Sequence, residues 1–242
     1  MNDNDHKKLF YENMYGPSKT NKVATRKNTL LDILYIMFKK FELHREDAVA
    51  GLITPCDRLL DLGCGNGSFL FKIKDKAKEL HGVDISPSRI AEAEKLRDKD
   101  HKGSNINLTT VDIDKSLPYK DDYFDVITCI ATFEHIYDPY TLIKEISRIL
   151  KKKGVLVLEV PNIVWLPRRI GFLLGNLPRT SNESGWDGGH LHYFTVGTLR
   201  SFLKEHEFEV LKVSGAGIFS RLRNTWVSLL SGDIIVTAKK LS

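Results

Sequence analysis

The sequence predicts an α/β fold, a doubly wound and mostly parallel sheet with helices on both faces. Three observations predict it. Arg58 to Leu70 runs from an apolar stretch into glycines at 63, 65 and 67, which reads as strand, tight loop and helix. Short apolar runs then alternate with helical stripes along the chain. Successive runs also close on a carboxylate, at Asp61, Asp84 and Asp112, at the end where open α/β sheets bind ligands.

In the first unit, Leu59, Leu60 and Leu62 suit a buried strand, and the glycines allow a ligand to approach bare backbone. Asp61 stands beside that loop. A pyrophosphate would be repelled there, which counts against a dinucleotide, whereas an ammonium would be tolerated. Asp84 ends the second run, Ala77 to Asp84, about 20 residues on, where an acidic residue can grip ribose hydroxyls. Together they fit a nucleoside whose tail carries no phosphate.

These residues, Asp61-Leu62-Gly63-Cys64-Gly65-Asn66-Gly67 with Asp84, resemble the (D/E)xGxGxG loop of the class I S-adenosylmethionine-dependent methyltransferases. The resemblance implies a Rossmann-like sheet of seven strands with an antiparallel last strand. It places Asp61, Leu62, Gly63, Cys64, Gly65 and Gly67 toward the amino-acid end of S-adenosylmethionine, Asp84 and Ile85 at its ribose, and Asp112 and Ile113 at its adenine. Ile130, ending the fourth strand, would also meet the cofactor. Nearer the methyl group, Glu134-His135-Ile136-Tyr137-Asp138 resembles the Glu-His-x-x-Asp signature of small-molecule enzymes of this class. Asp187-Gly188-Gly189-His190-Leu191-His192-Tyr193-Phe194-Thr195 resembles a His-x-His-(Tyr/Phe)-Phe-(Ser/Thr) stretch of one branch, so that the likeness spans Arg58 to Val213.

Elsewhere the elements follow from pattern. Ser68 to Lys76 is expected to be helical. Ser86 can cap a helix with Pro87 at its first position, and Ile106 to Val111 alternates as the third strand. Phe124 to Ile130 is the fourth strand, with Asp125 bonding the turn before it. Pro139 to Leu150 carries a helical face that Gly154 is expected to end, with Lys151 to Lys153 decorating the helix end, and Gly154 to Val160 is the fifth strand. Thr195 can cap the next helix, Phe208 to Val213 is the sixth strand, Ser220 to Leu230 a helix, and Asp233 to Lys240 the last strand. A nicotinamide-dependent dehydrogenase does not predict that ending.

At 242 residues one α/β domain with embellishments is expected. The first is an N-terminal helical cap over 1–45, with an apolar helical stripe from Thr29 to Leu43. Residues 46–242 form the cofactor-binding domain, with an inserted lid at 163–194. Hydrophobic content of 42% and charged content of 28% fit a soluble globular class. The net charge of +5 is spread along the chain, which counts against nucleic acid. Cys56, Cys64 and Cys129 show no CxxC pair and imply no disulfide framework. The N-terminus lacks the apolar core of a signal peptide and no run is long enough to span a membrane, so a cytoplasmic monomer or homodimer without stable membrane anchoring is expected. The lid's arginine-flanked apolar segment is read as covering substrate rather than touching a membrane.

The function expected is methyl transfer to a small-molecule acceptor, a hydroxyl oxygen ahead of nitrogen or carbon because histidines cluster near the methyl. Ala131-Thr132-Phe133-Glu134 stands where amino-methylating enzymes place an Asn-Pro-Pro-Tyr-like tetrapeptide. Glu134, His135, His190 and His192 are the candidate catalytic residues, with His190 preferred as the general base. Each has a plainer alternative, in bracing the lid or satisfying backbone at a helix start. Tyr11, Tyr15, Trp165 and Tyr193 are candidates for the substrate side. A site from His190, His192 and Asp187 or Glu134 is conceivable, but no metal is expected. The alternatives are a nicotinamide-dependent oxidoreductase and a non-catalytic module that keeps the cofactor pocket.

Overall fold

The computed structural model describes residues 8–10, 12–13, 42–181 and 186–242. Most of the expected N-terminal cap, including Tyr11, Tyr15 and most of the stripe from Thr29, lies outside the described residues. Where that stripe was expected to end in helix, Glu42–Leu43 forms a short strand, β1, because it pairs antiparallel with β8, Gly217–Ile218. Helix α1, Arg45–Ala50, follows it.

The main sheet has seven strands. They are β2 (Cys56–Leu62), β3 (Ala77–Asp84), β4 (Ile106–Thr110), β5 (Phe124–Ile130), β6 (Leu150–Pro161), β7 (Phe208–Ser214) and β9 (Asp233–Lys240), in the spatial order β4-β3-β2-β5-β6-β9-β7. Neighbours from β4 to β6 pair in parallel, whereas β9 runs antiparallel to both β6 and β7. The strand order reverses between β2 and β5. A crevice therefore opens beyond their carboxyl ends, where the connections leave in opposite directions.

Helices cover both faces because the strands are apolar on both. Leu59 and Leu60 are adjacent and both fully buried, yet they enter different cores. Leu59 joins Phe69 and Leu70 of α2 (Ser68–Lys72) and Ile90 of α3 (Pro87–Asp100). Leu60 joins Leu142 and Ile146 of α4 (Pro139–Ile149) and Leu199 and Leu203 of α6 (Val196–Glu205). Ser86 and Thr195 cap α3 and α6 through their side-chain oxygens, as their positions before each helix predict.

Three expected boundaries move. Helix α2 stops at Lys72, since the chain must turn through Ile73 to Lys76 into β3. Helix α4 stops at Ile149, and Leu150 already pairs with Phe124, so Lys151 to Lys153 and Gly154 belong to β6. Gly154 does not end a helix. A side chain there would meet the Lys151 carbonyl at 2.7 Å, so it permits a tight turn of the strand. Ser220 to Leu230 splits into two single turns, α7 (Ser220–Arg223) and α8 (Val227–Leu230).

Asp125 shows what fastens this end of the sheet. Its carboxylate accepts from the Arg58 backbone N–H at 2.8 Å and from Lys151 Nζ at 2.6 Å, tying β5 to the starts of β2 and β6. Half-buried bonds of this kind contribute about 1–2 kcal/mol together. Asp125→Ala should lower the unfolding free energy by about that amount in urea titrations; an unchanged midpoint would mean that the bonds are replaced by water without loss.

Candidate active site

A cavity of about 960 Å³ opens at the carboxyl end of the parallel strands. Each strand sends a loop to its wall: Gly63 after β2, Asp84 to Ser86 after β3, Asp112 to Asp114 after β4, and Ala131 to Ile136 after β5. The amino end of β9 adds Asp233, which its antiparallel direction brings to the same side.

One half of the cavity is built around Asp84. One carboxylate oxygen accepts from the Gly65 N–H and the other from the Ser86 N–H, both at 2.9 Å, so the residue ties the glycine loop to the start of α3. Burial raises its pKa above the usual carboxylate range. Gly63, Gly65 and Gly67 all take positive φ, and a side chain on Gly63 would lie 2.2 Å from Thr132 Oγ1. The loops after β2 and β5 can meet only because position 63 lacks a side chain. From the N-terminal segment, Glu12 accepts from the hydroxyls of Ser86 and Ser88 at 2.6 and 2.5 Å.

Of the residues expected at the cofactor, Gly63, Asp84, Ile85, Asp112 and Ile113 line the cavity. Asp61, Leu62, Cys64, Gly65, Gly67 and Ile130 are not among its lining residues. For Asp61 the reason is the strand's two-residue period. Its side chain lies over the α2 and α3 face beside Thr128, whose hydroxyl donates to it at 2.7 Å. Buried there, its pKa rises to about 7, against which the Thr128 bond works only partly.

The other half of the cavity gathers Glu134, His135 and His190. Phe133–His135 forms a single tight turn after β5, and Asp187–Gly189 forms another before His190. The Glu134 carbonyl accepts from the backbone N–H groups of Leu191 and His192 at 2.8 and 3.1 Å, which clamps the two segments together. His135 Nδ1 donates to the Gly189 carbonyl at 3.1 Å, and the His135 and His190 rings meet edge to face at 4.6 Å. Burial lowers both imidazole pKa values, that of His190 to about 4 with His135 beside it, so both rings are neutral at pH 7. Burial also raises Glu134, whose Oε2 has no hydrogen-bond partner among the described residues.

His190 Nε2 lies 3.8 Å from Glu134 Oε1. Ligand atoms of Glu134, His135 and His190 lie within 4.8 Å of one another, looser than the roughly 3.4 Å spacing in a tetrahedral site with 2.1 Å bonds.

His192 does not line the cavity; its ring lies 6.4 Å from that of Phe194, and its buried Nε2 has no hydrogen-bond partner among the described residues. The His190-Leu191-His192 stretch does not bring both rings to the cavity: His190 lines it, whereas His192 packs beside Phe194. Trp165 lines the cavity; Tyr193 does not and is 42% exposed. The segment expected as a lid, which contains helix α5 (Leu166–Leu173), supplies Trp165, Arg168, Thr180, Ser181 and His190 to the wall.

Residues that brace the wall from behind carry no sequence motif. Glu159 is fully buried in β6, where its carboxylate accepts from the Ala131 N–H at 2.9 Å and lies 3.9 Å from Arg45. It holds Ala131 at a positive φ of 48°, a strained setting for a residue with a side chain, at the rim of the cavity. A lone Glu in the run Val-Leu-Val-Leu-Glu-Val is the signal that could have found it.

The family model described as a methyltransferase domain matches residues 53–186, more than half of the chain. The chain belongs to the class I S-adenosylmethionine-dependent methyltransferases. A ubiquinone biosynthesis O-methyltransferase of Bradyrhizobium diazoefficiens is 28% identical over 185 residues, covering 74% of this chain and 68% of that protein. Among solved structures, an S-adenosylmethionine-dependent methyltransferase from Mesorhizobium loti superposes with a TM-score of 0.61 at 17% identity, over 81% of this chain and 97% of the other. One from Methanosarcina mazei gives 0.61 at 22% identity, over 83% and 99%. The methyltransferase takes S-adenosylmethionine as its cofactor. The wall suits that group, since a loop of bare backbone stands beside a buried carboxylate whose raised pKa reflects its dry surroundings. The family sets aside the nicotinamide-dependent reading. No helix among the described residues is long and apolar enough to cross a membrane.

Proposed function

We propose that this methyltransferase methylates a hydroxyl oxygen of a small molecule, with His190 as the group that receives the hydroxyl proton. The observation that carries the reading is a neutral imidazole, buried and braced in the cavity wall beside Glu134 at the carboxyl end of β5. When bound, the cofactor supplies an electrophilic methyl group on a sulfonium. The chain's task is then to position the acceptor, exclude water and take up one proton. Glu134 and His135 would bound the acceptor's place from the β5 side and Trp165 from the lid. Asp84 and Ile85 would hold the ribose, and Asp112 and Ile113 the adenine. The name of the Bradyrhizobium relative, an O-methyltransferase, supports oxygen as the target. A base whose pKa is near 4 favours an acidic hydroxyl, a phenol rather than an aliphatic alcohol. The N-terminal cap over 1–45 and the lid over 163–194 would cover the cofactor and the acceptor.

Substituting His190 tests the assignment. His190→Ala should bind S-adenosylmethionine within about twofold of the unaltered chain by calorimetry, while its turnover of a catechol acceptor falls about a hundredfold. Loss of cofactor binding in that variant would instead make His190 a part of the pocket's frame. Undiminished turnover would remove it from the chemistry.

A further inference from the structure

We infer that Thr180 and Asp187 are positioning residues that hold the His190 proton on Nδ1 and so present the Nε2 lone pair to the cavity. The inference deepens the proposed function and rests on it for the use made of that lone pair.

Thr180 Oγ1 lies 2.6 Å from Asp187 Oδ2 and 2.6 Å from His190 Nδ1. A hydroxyl has one hydrogen to give, and a carboxylate can only accept. Burial opposes ionisation of Asp187, but the Thr180 hydroxyl and the Ser181 and Thr180 N–H groups outweigh it and hold the pKa below the ordinary range. Thr180 therefore donates to Asp187, and its lone pair must accept from Nδ1–H. A neutral imidazole with its proton on Nδ1 has an unprotonated Nε2. That nitrogen is the one 3.8 Å from Glu134 Oε1.

The surroundings hold this order in place. Asp187 Oδ1 accepts from the Thr180 and Ser181 N–H groups at 2.7 and 2.9 Å, so both of its oxygens are committed to the same corner. Asp187, Gly188 and Gly189 take φ values of 43°, 66° and 80°, a left-handed run that brings the carboxylate under Thr180 and turns His190 inward. Only two of the three are glycine. Asp187 carries the strain, which is the mark of a backbone held for its side chain. From the other side, Arg168 donates to the carbonyls of Arg179 and Thr180 at 2.8 and 3.2 Å and to those of Asn162 and Gly232 at 2.6 and 3.0 Å. The hydroxyl is thereby fixed to the ends of β6 and β9.

In the reaction the acceptor's O–H bond breaks and its proton goes to Nε2. The oxygen's electron pair forms the new O–CH3 bond, and the pair of the broken S–CH3 bond stays on sulfur. Nδ1–H does not leave. The imidazolium that forms is stabilised by Asp187 through Thr180, and it returns the Nε2 proton to water afterwards. With the other tautomer, Nε2–H would point at the acceptor and no proton could be taken.

Long-range proton–nitrogen NMR of the full chain labelled with 15N-histidine reads the tautomer directly, the His190 signals being those missing from His190→Ala. The expected spectrum has a pyrrole-type Nδ1 and a pyridine-type Nε2. Thr180→Val, which keeps the shape and removes the hydroxyl, should shift that pattern toward the other tautomer, and Thr180→Ser should restore it. With a catechol as acceptor, Thr180→Val should lower kcat roughly tenfold at unchanged KM, with recovery in Thr180→Ser. A protonated Nε2 in the unaltered chain, or a Thr180→Val spectrum identical to it, overturns the inference. A shifted tautomer with undiminished kcat overturns the role of Nε2. Absence of turnover on any phenol strikes at hydroxyl methylation, while the spectrum still decides the tautomer.

Discussion

Asp84→Ala should weaken S-adenosylmethionine binding about a thousandfold. The carboxylate is expected to accept from two ribose hydroxyls, and hydrogen bonds to a charged acceptor contribute about 1.5–3 kcal/mol each. Two of them at the middle of that range give roughly 4 kcal/mol, or three decades in Kd. The same side chain also receives the Gly65 and Ser86 N–H groups, so its removal frees the glycine loop from the start of α3. Both effects weaken binding, and they can be separated. Asp84→Asn keeps one carbonyl oxygen for the loop and loses the charge, so it should fall between the unaltered chain and Asp84→Ala. Calorimetry with S-adenosylmethionine and S-adenosylhomocysteine reads both variants. Unchanged affinity in Asp84→Ala would remove the nucleoside from this end of the cavity.

What was legible in the sequence follows from how local its cause is. The strand, glycine loop and helix from Arg58 to Leu70 are specified by residues within one turn of one another, and β2, β3, β5 and β9 appear where the apolar runs lie. The carboxylates at strand ends mark the cavity mouth, and Asp84 and Asp112 reach it. Legibility fails where a partner distant in the chain decides. Leu150 enters a strand rather than the end of a helix because Phe124 is there to pair with it. Asp61 lies against Thr128, a neighbour supplied by the parallel strand β5, and no local pattern shows which face of the sheet it takes. Among the three candidate histidines the choice depends on Glu134, whose carbonyl clamps residues 191 and 192 from 57 and 58 positions away in sequence, and on Thr180, which no motif marks. Glu159 and Arg45 approach each other beside Ala131 from 114 positions apart in sequence. Motif residues were found one at a time, whereas the residues that orient them are known only by contact.

Asp61→Asn should stabilise the cofactor-free protein by an amount that grows with pH, from near zero at pH 4 to about 4 kcal/mol at pH 8. Burial lifts the Asp61 pKa from its ordinary 3.8 to about 7, with the Thr128 hydroxyl opposing and the Glu46 and Asp84 carboxylates adding to the rise. A group whose folded pKa lies above its unfolded value gives its full stability below the unfolded value and loses it as pH climbs through the folded one. For Asp61 that window runs from about pH 4 to about pH 7. At about 1.4 kcal/mol per pKa unit the loss approaches 4 kcal/mol. The histidines act in the opposite sense, since His190 falls to about 4 and costs stability as pH drops below the ordinary histidine range. The raised Asp84 and Glu134 carboxyls titrate in the same sense as Asp61, so it is the difference between the unaltered protein and Asp61→Asn that isolates this carboxylate. Urea titrations at pH 4.5 and 8 measure it; a difference independent of pH would mean that Asp61 is already ionised in the fold at pH 4.5. With its side chain outside the cavity lining, the same variant should leave S-adenosylmethionine binding nearly unchanged while folding more tightly; a marked loss of affinity by calorimetry would return Asp61 to the cofactor's amino-acid end.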